Sequence, residues 1–170
     1  KLNNGLISIN PSSNETGSAV LSTPFTSVYD MEWTMKISQF RVQVVIYDGK
    51  FELSLTIDPD TVHYRSSGGS FKSFSHNTDD KYHTYRVKMI DGVADLFMDG
   101  YYVTTIEVQS APVGSTFEVH TAEARGVVGS VEISDFKMNE PPSVESGNQG
   151  NSGASTTPKP MRWDFNSPDE

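Results

Sequence analysis

The stretch KYHTYRVKMIDGVADLFMDGYYV, residues 81–103, decides the fold class. From His83 to Met89 aromatic or apolar residues occupy every second position, and Thr84, Arg86 and Lys88 lie between them. A period of two is the pattern of a β-strand with one buried face. The dipeptides Asp91-Gly92 and Asp99-Gly100 follow apolar runs, and Asp-Gly supplies the positive φ angles that tight hairpin turns need. The stretch therefore predicts successive antiparallel strands.

The same alternation extends from Leu6 to about Met138, and no segment there has a sustained helical period. Many short alternating strands predict an all-β fold of two packed sheets or a barrel, because a single open sheet would leave its apolar face in water. The longest run, Tyr29 to Ile37, is predicted to be a central strand with Trp33 buried. The predicted strands lie near Gly5–Ile9, Ala19–Ser22, Val28–Ile37, Val42–Tyr47, Phe51–Ile57, Thr61–Arg65, Phe71–Ser75, His83–Ile90, Val93–Met98, Tyr101–Val108, Thr116–Thr121 and Gly129–Lys137.

Composition excludes several classes of function. A chain of 170 residues with 35% hydrophobic content suits one well-buried domain. Its 22 acidic and 13 basic residues give a net charge of −9, which disfavours nucleic acid and anionic lipid as partners. Without cysteine the chain has neither disulfides nor thiolate metal sites. No apolar stretch approaches the roughly 20 residues that span a bilayer, so membrane insertion is not expected.

The composition changes abruptly after Met138. Residues 139–160, NEPPSVESGNQGNSGASTTPKP, consist mainly of Gly, Ser, Asn, Thr and Pro. Such a segment buries too little apolar surface to offset the entropy of ordering it, so a flexible linker is predicted. The sandwich module is accordingly predicted to cover residues 1–138.

Beyond the linker, residues 161–170, MRWDFNSPDE, return to a strand pattern through Met161, Trp163 and Phe165. This extra β-strand could begin a following domain, dock on the sandwich of its own chain, or insert into a neighbouring chain and form a homo-oligomer by strand exchange. Placed before KLNNGLISIN, the segment WDFNSPDE reads as a strand, a polar turn and the next strand. That order favours docking on the sandwich of its own or a neighbouring chain.

The run at residues 82–103, taken with GVVGSVEISDFKM at residues 126–138, resembles the laminin-G-like and concanavalin A-like jelly rolls. The alternating strand opened by Asp-Gly in residues 46–58 is similar to an earlier hairpin of the same fold. The resemblance covers roughly Val28 to Met138. It implies a two-sheet antiparallel jelly roll, an architecture used by carbohydrate-binding modules, lectin-like domains, adhesion modules and a minority of glycoside hydrolases and lyases.

The catalytic pattern of the enzymes in this superfamily is missing. Glucanase members carry Glu-x-Asp-x-x-Glu on one strand, with two carboxylates that act as nucleophile and general acid. Here Glu32 and Glu52 are lone acids on alternating strands, whereas retaining hydrolysis needs two carboxylates roughly 5 Å apart. The Arg, Gln-x-His and Tyr-rich strands of jelly-roll alginate lyases are not reproduced either. An enzyme is therefore less expected than a binding module, although carboxylates from different strands can converge.

Sugar sites combine an aromatic platform with nearby hydrogen-bonding groups. Tyr101 and Tyr102 are predicted to point to opposite faces of a strand, so at least one is exposed, either for a sugar or for cross-strand packing. Tyr64 and Arg65 precede a glycine hairpin that suits a polar ligand or an ordinary half-exposed turn. Trp163 either packs or contacts a ligand. The candidate ligand-binding residues are thus Tyr64, Arg65, Tyr101, Tyr102 and Trp163.

Asp79 and Asp80 form the most acidic local loop and are the candidate metal ligands. Ca²⁺ takes six to eight oxygen ligands, which adjacent carboxylates can supply in part, although adjacent acids are also commonly just solvated. The resemblance supports calcium as a candidate cofactor, because laminin-G-like relatives often bind it. The four histidines lack the local spacing of a metal site, and His83 is predicted to be a partly buried strand residue.

Three functions follow from this reading. The first is a non-catalytic carbohydrate-binding or adhesion module of a larger secreted or cell-surface protein, with a polysaccharide or glycan as partner. The second is a structural assembly subunit that exchanges its C-terminal strand. The third is a jelly-roll polysaccharide hydrolase or lyase.

Overall fold

The computed structural model describes residues 2–3, 6–9, 17–22, 25–38, 41–78, 80–112, 114–121, 130–139 and 161–162. All regular secondary structure in these residues is β-strand. The described residues contain no helix long and apolar enough to cross a membrane. The strands are β1 (Leu2–Asn3), β2 (Leu6–Ile9), β3 (Ser18–Leu21), β4 (Val28–Ser38), β5 (Val42–Asp48), β6 (Phe51–Ile57), β7 (Thr61–Arg65), β8 (Phe71–Ser75), β9 (Tyr82–Ile90), β10 (Val93–Met98), β11 (Tyr101–Glu107), β12 (Gln109–Ser110), β13 (Ser115–Thr121), β14 (Ser130–Asn139) and β15 (Met161–Arg162).

Every strand predicted from Gly5 to Lys137 is present, with small shifts at its ends. The two short strands β1 and β12 were not predicted, because an alternation cannot be recognised in two residues.

The strands form two antiparallel sheets. Sheet A has the order β1-β2-β14-β4-β9-β10-β11, with β15 beside β14, and sheet B has the order β3-β13-β5-β6-β7-β8, with β12 beside β6. Apolar side chains from both sheets form one core. The predicted all-β, two-sheet antiparallel sandwich is confirmed.

Trp33 lies at the centre of this core and is 0% exposed. Its ring stacks on Tyr85 of the neighbouring strand at 5.7 Å and meets Phe117 of sheet B edge-on at 5.2 Å. Aromatic contacts of this kind add to the roughly 1.5–3 kcal/mol gained by burying a large apolar side chain. The predicted burial of Trp33 in a central strand is confirmed.

Two hairpins of sheet A turn on the Asp-Gly pairs. Asp91 and Gly92 have φ angles of 42° and 87°, and Asp99 and Gly100 have φ angles of 50° and 82°. Positive φ at both central residues is what a type I′ turn requires, and this turn matches the twist of the flanking strands. Both predicted hairpins are therefore confirmed.

The described residues of the terminal strand, β15, pair antiparallel with Lys137 and Met138 of β14 in the same chain. Along the same edge of β14, residues 131–133 pair with β2. Pairing within the chain leaves strand exchange between molecules without support. Residues 140–160 of the predicted linker lie outside the described residues, and the linker stays a prediction.

Candidate functional site: a polar face on sheet A

The outward face of sheet A brings side chains from five strands into two parallel rows, here called the polar face. Each residue in a row is the cross-strand partner of the next. Neighbouring strands lie about 4.8 Å apart, so a row of five residues spans about 19 Å. The first row is Lys137, Glu32, Arg86, Phe97 and Tyr102, and the second is Asn139, Asp30, Lys88, Asp95 and Thr105.

The apolar half of each strand determines where these polar side chains lie. In β4 the outward residues Asp30 and Glu32 alternate with Met31 and Trp33, which are fully buried. Shifting this strand by one residue would put its apolar set in water, so packing of the core fixes the register. The polar rows follow from the same register.

A bidentate ion pair holds the middle of the polar face. Arg86 donates from Nε to Oδ1 of Asp30 at 2.7 Å and from Nη2 to Oδ2 at 2.5 Å, and Asn139 donates to Oδ1 at 3.2 Å. Asp30 is only 5% exposed although it faces outward. Hydrogen bonding to Asp30 raises the pKa of Arg86, which burial alone would lower. The guanidinium is therefore a fixed cation with donors to spare.

Two further cations lie beside the Arg86–Asp30 pair. Lys137 donates from Nζ to Oε1 of Glu32 at 3.2 Å. Lys88 Nζ lies 5.2 Å from the centre of the Phe97 ring, within the range of a cation–π contact. The polar face thus alternates positive and negative groups.

Phe97 and Tyr102 form an aromatic rim along the edge strand β11. Their rings lie 5.8 Å apart at 73°, and the Tyr102 hydroxyl contacts Oγ1 of Thr105 at 2.8 Å. A shift in register between Leu96 and Phe97 lets Tyr102 share a face with Phe97. Tyr102 is 58% exposed and Tyr101 is 78% exposed. The prediction that at least one of the two is exposed is confirmed, and ligand contact stays a prediction.

Another polar contact lies at Tyr82, the first residue of β9. Tyr82 donates from its hydroxyl to Oε2 of Glu132 at 2.5 Å, and this hydrogen bond raises the pKa of Tyr82 to about 12. Tyr82 is exposed, so the outward surface of sheet A carries a second accessible ring.

The other described candidates lie away from the polar face. Tyr64 is 8% exposed and its ring contacts Phe74 at 6.4 Å, so it is a core residue and offers no sugar platform. It lies on the same side of β7 as the buried Val62, a signal the sequence already held. Arg65 is exposed on sheet B, with its guanidinium 5.8 Å from the Phe71 ring. The Tyr64 hydroxyl lies 3.5 Å from Oγ1 of Thr104 on the inner side of β11, whereas Tyr102 faces outward on the same strand.

Trp163 and Asp79 lie outside the described residues. Asp80 is exposed, and its Oδ1 lies 3.6 Å from Nζ of Lys36. Within the described part of the chain, no group of three or more His, Asp or Glu side chains is placed to hold a metal ion. Calcium binding by Asp79 and Asp80 stays a prediction.

A cluster of histidines lies where β8 of sheet B leads into β9 of sheet A. His83 Nδ1 lies 2.7 Å from Oδ2 of Asp99, its Nε2 lies 2.9 Å from the carbonyl of Thr78, and its ring lies 4.7 Å from that of His76. The predicted partial burial of His83 is confirmed, with its side chain 15% exposed.

His76 and Asp99, the two residues of this cluster whose side chains contact His83, both have lowered pKa values. Burial lowers the pKa of His76, and the neighbouring His83 lowers it further, while Asp99 acts in the opposite direction. Burial acts to raise the pKa of Asp99, but hydrogen bonds from His83 and the Thr84 amide outweigh it and hold that pKa below its usual range.

Several residues of the polar face were not identified from the sequence. The Asp91-Gly92 hairpin places Arg86 opposite Phe97 and Lys88 opposite Asp95. These two pairings could therefore be predicted from the position of the turn. Asp30 and Asn139, by contrast, come together across a pairing between distant parts of the chain. No local signal in a sequence specifies that pairing.

Comparison with known proteins finds similar folds among solved structures. A scan of protein-family models finds no match, and a search of curated proteins finds none. Among solved structures, a sialidase matches with a TM-score of 0.62 at 12% identity, over 79% of this chain and 15% of its own. A β-glucanase of Bacillus licheniformis matches with a TM-score of 0.55 at 15% identity, over 78% of this chain and 76% of its own. This chain shares the jelly-roll β-sandwich fold of these proteins.

The same jelly roll also matches the binding domain of botulinum neurotoxin DC in complex with SialylT, with a TM-score of 0.55 at 11% identity, over 78% of this chain and 38% of the toxin domain. This chain spans less than two thirds of the length of several matched proteins, among them the sialidase and the toxin domain. The resemblance to concanavalin A-like proteins is confirmed at the level of fold, and the narrower likeness to laminin G stays a prediction.

Proposed function

We propose that this chain is a non-catalytic carbohydrate-binding module of a larger secreted or cell-surface protein, and that the polar face of sheet A contacts the sugar. The observation that carries the proposal is the juxtaposition of fixed charged groups with the aromatic rim of Phe97 and Tyr102. Sugars present apolar C–H faces and a rim of hydroxyls, which such a surface complements. The similar structures include a sialidase, a β-glucanase and a toxin domain in complex with SialylT, which supports carbohydrate as the ligand class.

Each part of the polar face has a separate role in this proposal. Tyr102 supplies the exposed ring that stacks on a sugar. Arg86 and Lys88 donate hydrogen bonds to hydroxyl or carboxylate oxygens, since Asp30 uses only part of the Arg86 guanidinium. Asp95 accepts hydrogen bonds from sugar hydroxyls. Asp30 is committed to Arg86 through both oxygens and holds the guanidinium in place.

Two neighbouring tyrosines provide a matched test. Tyr102→Ala removes the proposed platform, whereas Tyr101→Ala removes an even more exposed ring, on a residue that pairs with Met98 and lies off the polar face. Because aromatic stacking is worth about 0.5–1.5 kcal/mol, Tyr102→Ala should weaken binding by about two- to tenfold, with little change for Tyr101→Ala.

The ligand is first found on a glycan array and a panel of insoluble polysaccharides, each probed with calcium and with EDTA. Equal effects of the two substitutions, or no binding to any glycan, would count against the proposal. Loss of binding in EDTA would support the predicted calcium, and unchanged binding would count against a calcium requirement.

A glycoside hydrolase is the second candidate, because Asp30 and Glu32 are successive outward residues of the central strand β4. The bidentate bond from Arg86 occupies both oxygens of Asp30, which argues against its acting as nucleophile or proton donor. Turnover of any polysaccharide that is abolished by Glu32→Gln would establish the enzyme instead. Under the binding proposal, no product forms and Glu32→Gln changes affinity only.

A further inference from the structure

Tyr82 lies on the same outward surface of sheet A as the polar face, at some distance from Tyr102. Arg86 of the polar face is four residues further along β9, and side chains an even number of residues apart share one face of a strand. Tyr85, at an alternate position of β9, is buried in the core. The outward surface of sheet A therefore carries exposed tyrosine rings at two separate places.

The two rings are too far apart for one monosaccharide to touch both. Successive residues of a strand rise about 3.4 Å, so Tyr82 is about 14 Å from Arg86 along β9. Neighbouring strands lie about 4.8 Å apart, so Tyr102 is about 10 Å from Arg86 across two strands. The two displacements are nearly perpendicular, which sets the backbones of Tyr82 and Tyr102 about 17 Å apart.

A hydrogen bond holds each of the two rings in place. The Tyr82 hydroxyl donates to Oε2 of Glu132 at 2.5 Å, and the tyrosine is still 46% exposed. The Tyr102 hydroxyl contacts Oγ1 of Thr105 at 2.8 Å. A ring that is already oriented loses little conformational entropy when a ligand stacks on it. Both rings are therefore prepared for stacking.

The surface between the two rings offers hydrogen-bonding groups. Thr34 and Thr84 are cross-strand partners, and their hydroxyl oxygens lie 3.2 Å apart. A single hydrogen joins them, so the pair can still donate once and accept several times. Arg86 lies two residues beyond Thr84 on the same side of β9, with guanidinium donors that Asp30 does not use. A sugar chain that runs from ring to ring would meet polar partners along its length.

We propose that the ligand of the polar face is an extended, linear glycan chain that lies diagonally across sheet A, with Tyr102 and Tyr82 as its two stacking platforms. The inference rests on the proposed function and adds the length of the ligand, its direction and a second platform. Once one ring holds the chain, contact with the other ring is intramolecular, so the two contacts reinforce each other. A monosaccharide reaches one ring only and binds more weakly.

Calorimetry tests the length of the ligand. The probes are ladders of linear β-glucan, xylan and mannan oligosaccharides, from disaccharide to octasaccharide, and of any other linear glycan that the array identifies. We expect affinity to rise with chain length and to level off once both rings are reached. A second aromatic stack is worth about two- to tenfold in affinity, so the longest member should gain at least that much. Equal affinity along the ladder would overturn the proposal and leave sugar binding intact.

Variants of Tyr82 test the second platform. Tyr82→Ala removes the ring and should lower octasaccharide affinity by about two- to tenfold, which flattens the dependence on length. Tyr82→Phe keeps the ring and removes only the hydrogen bond to Glu132, so most of the length dependence should remain. Tyr101→Ala removes an exposed ring off the polar face and should change nothing. Thermal unfolding checks that each variant is folded. An unchanged length dependence in Tyr82→Ala would overturn the proposal.

The same measurements separate this inference from the proposed function. If the array finds only short glycans and no ladder binds, the extended ligand is overturned while the carbohydrate-binding module stands. If nothing binds on the array, the polysaccharide panel or the ladders, both proposals fail.

Discussion

At the scale of single residues, the two partners of the Asp30–Arg86 ion pair differ in how deeply they are buried. The Asp30 side chain is 7% exposed and the Arg86 side chain is 36% exposed. A guanidinium that loses its partner can turn to water, whereas a buried carboxylate that loses its partner stays desolvated. The two halves of one ion pair should therefore respond differently to mutation.

We predict that Arg86→Met destabilises the fold by about 3 kcal/mol and Asp30→Asn by about 1 kcal/mol, since an unpaired buried charge is the costlier defect. Urea denaturation of the two variants and the wild type measures the difference. Asparagine keeps the size of aspartate and methionine keeps most of the arginine stem, so packing changes little. Equal destabilisation, or the reverse order, would contradict this prediction.

At the scale of strands and turns, the hairpin that joins β9 and β10 depends on one glycine for two reasons. Gly92 has a φ of 87°, and a Cβ there would lie 2.8 Å from the Phe51 ring. Gly100, in the next hairpin, has a similar φ of 82°, but a Cβ there meets no atom within 4 Å. Comparing Gly92 with Gly100 therefore separates the cost of a side chain at positive φ from the cost of its contact with Phe51.

Both Gly92→Ala and Gly100→Ala should lose about 1–2 kcal/mol, because L-residues disfavour the left-handed region. Gly92→Ala should lose about 1 kcal/mol more, because the Phe51 ring must also move. Thermal or urea unfolding of the two variants checks this. If the two losses match, the contact with Phe51 is not significant.

Among the strands and turns, the positions and some of the pairings could be predicted from the sequence. The Asp-Gly turns and the alternation between them located the strands and the β9–β10 register, because each turn constrains residues close in the chain. The β4–β14 pairing joins Asp30 to Asn139, and no turn connects those strands. Most of the fold was therefore predictable, while the composition of the polar face was not, since it depends on that distant pairing.

At the scale of the whole molecule, the histidine cluster links the end of sheet B to sheet A and couples stability to pH. His76 follows β8 of sheet B, and His83 and Asp99 belong to sheet A and its hairpin. The pKa of His76 and the pKa of Asp99 are both lower in the fold than in ordinary peptides. Each group therefore binds protons more readily in the unfolded chain.

We predict that stability falls as the pH drops below about 6.5, where unfolded histidine protonates, and falls again below about 4, where unfolded aspartate protonates. His76→Phe removes the first titration, so the free energy of unfolding should lose part of its slope between pH 7 and pH 5. Urea denaturation across that range provides the measurement. Parallel pH profiles for the wild type and His76→Phe would contradict the assignment.

The pairing of β15 with β14 also bears on how the protein behaves at high concentration. An uncovered strand edge presents a row of free N–H and C=O groups, and such a row is a template for aggregation. Along one edge of β14, residues 131–133 pair with β2 and residues 137–138 pair with β15. A short strand near the end of the chain thus covers part of an edge that could otherwise pair with another molecule.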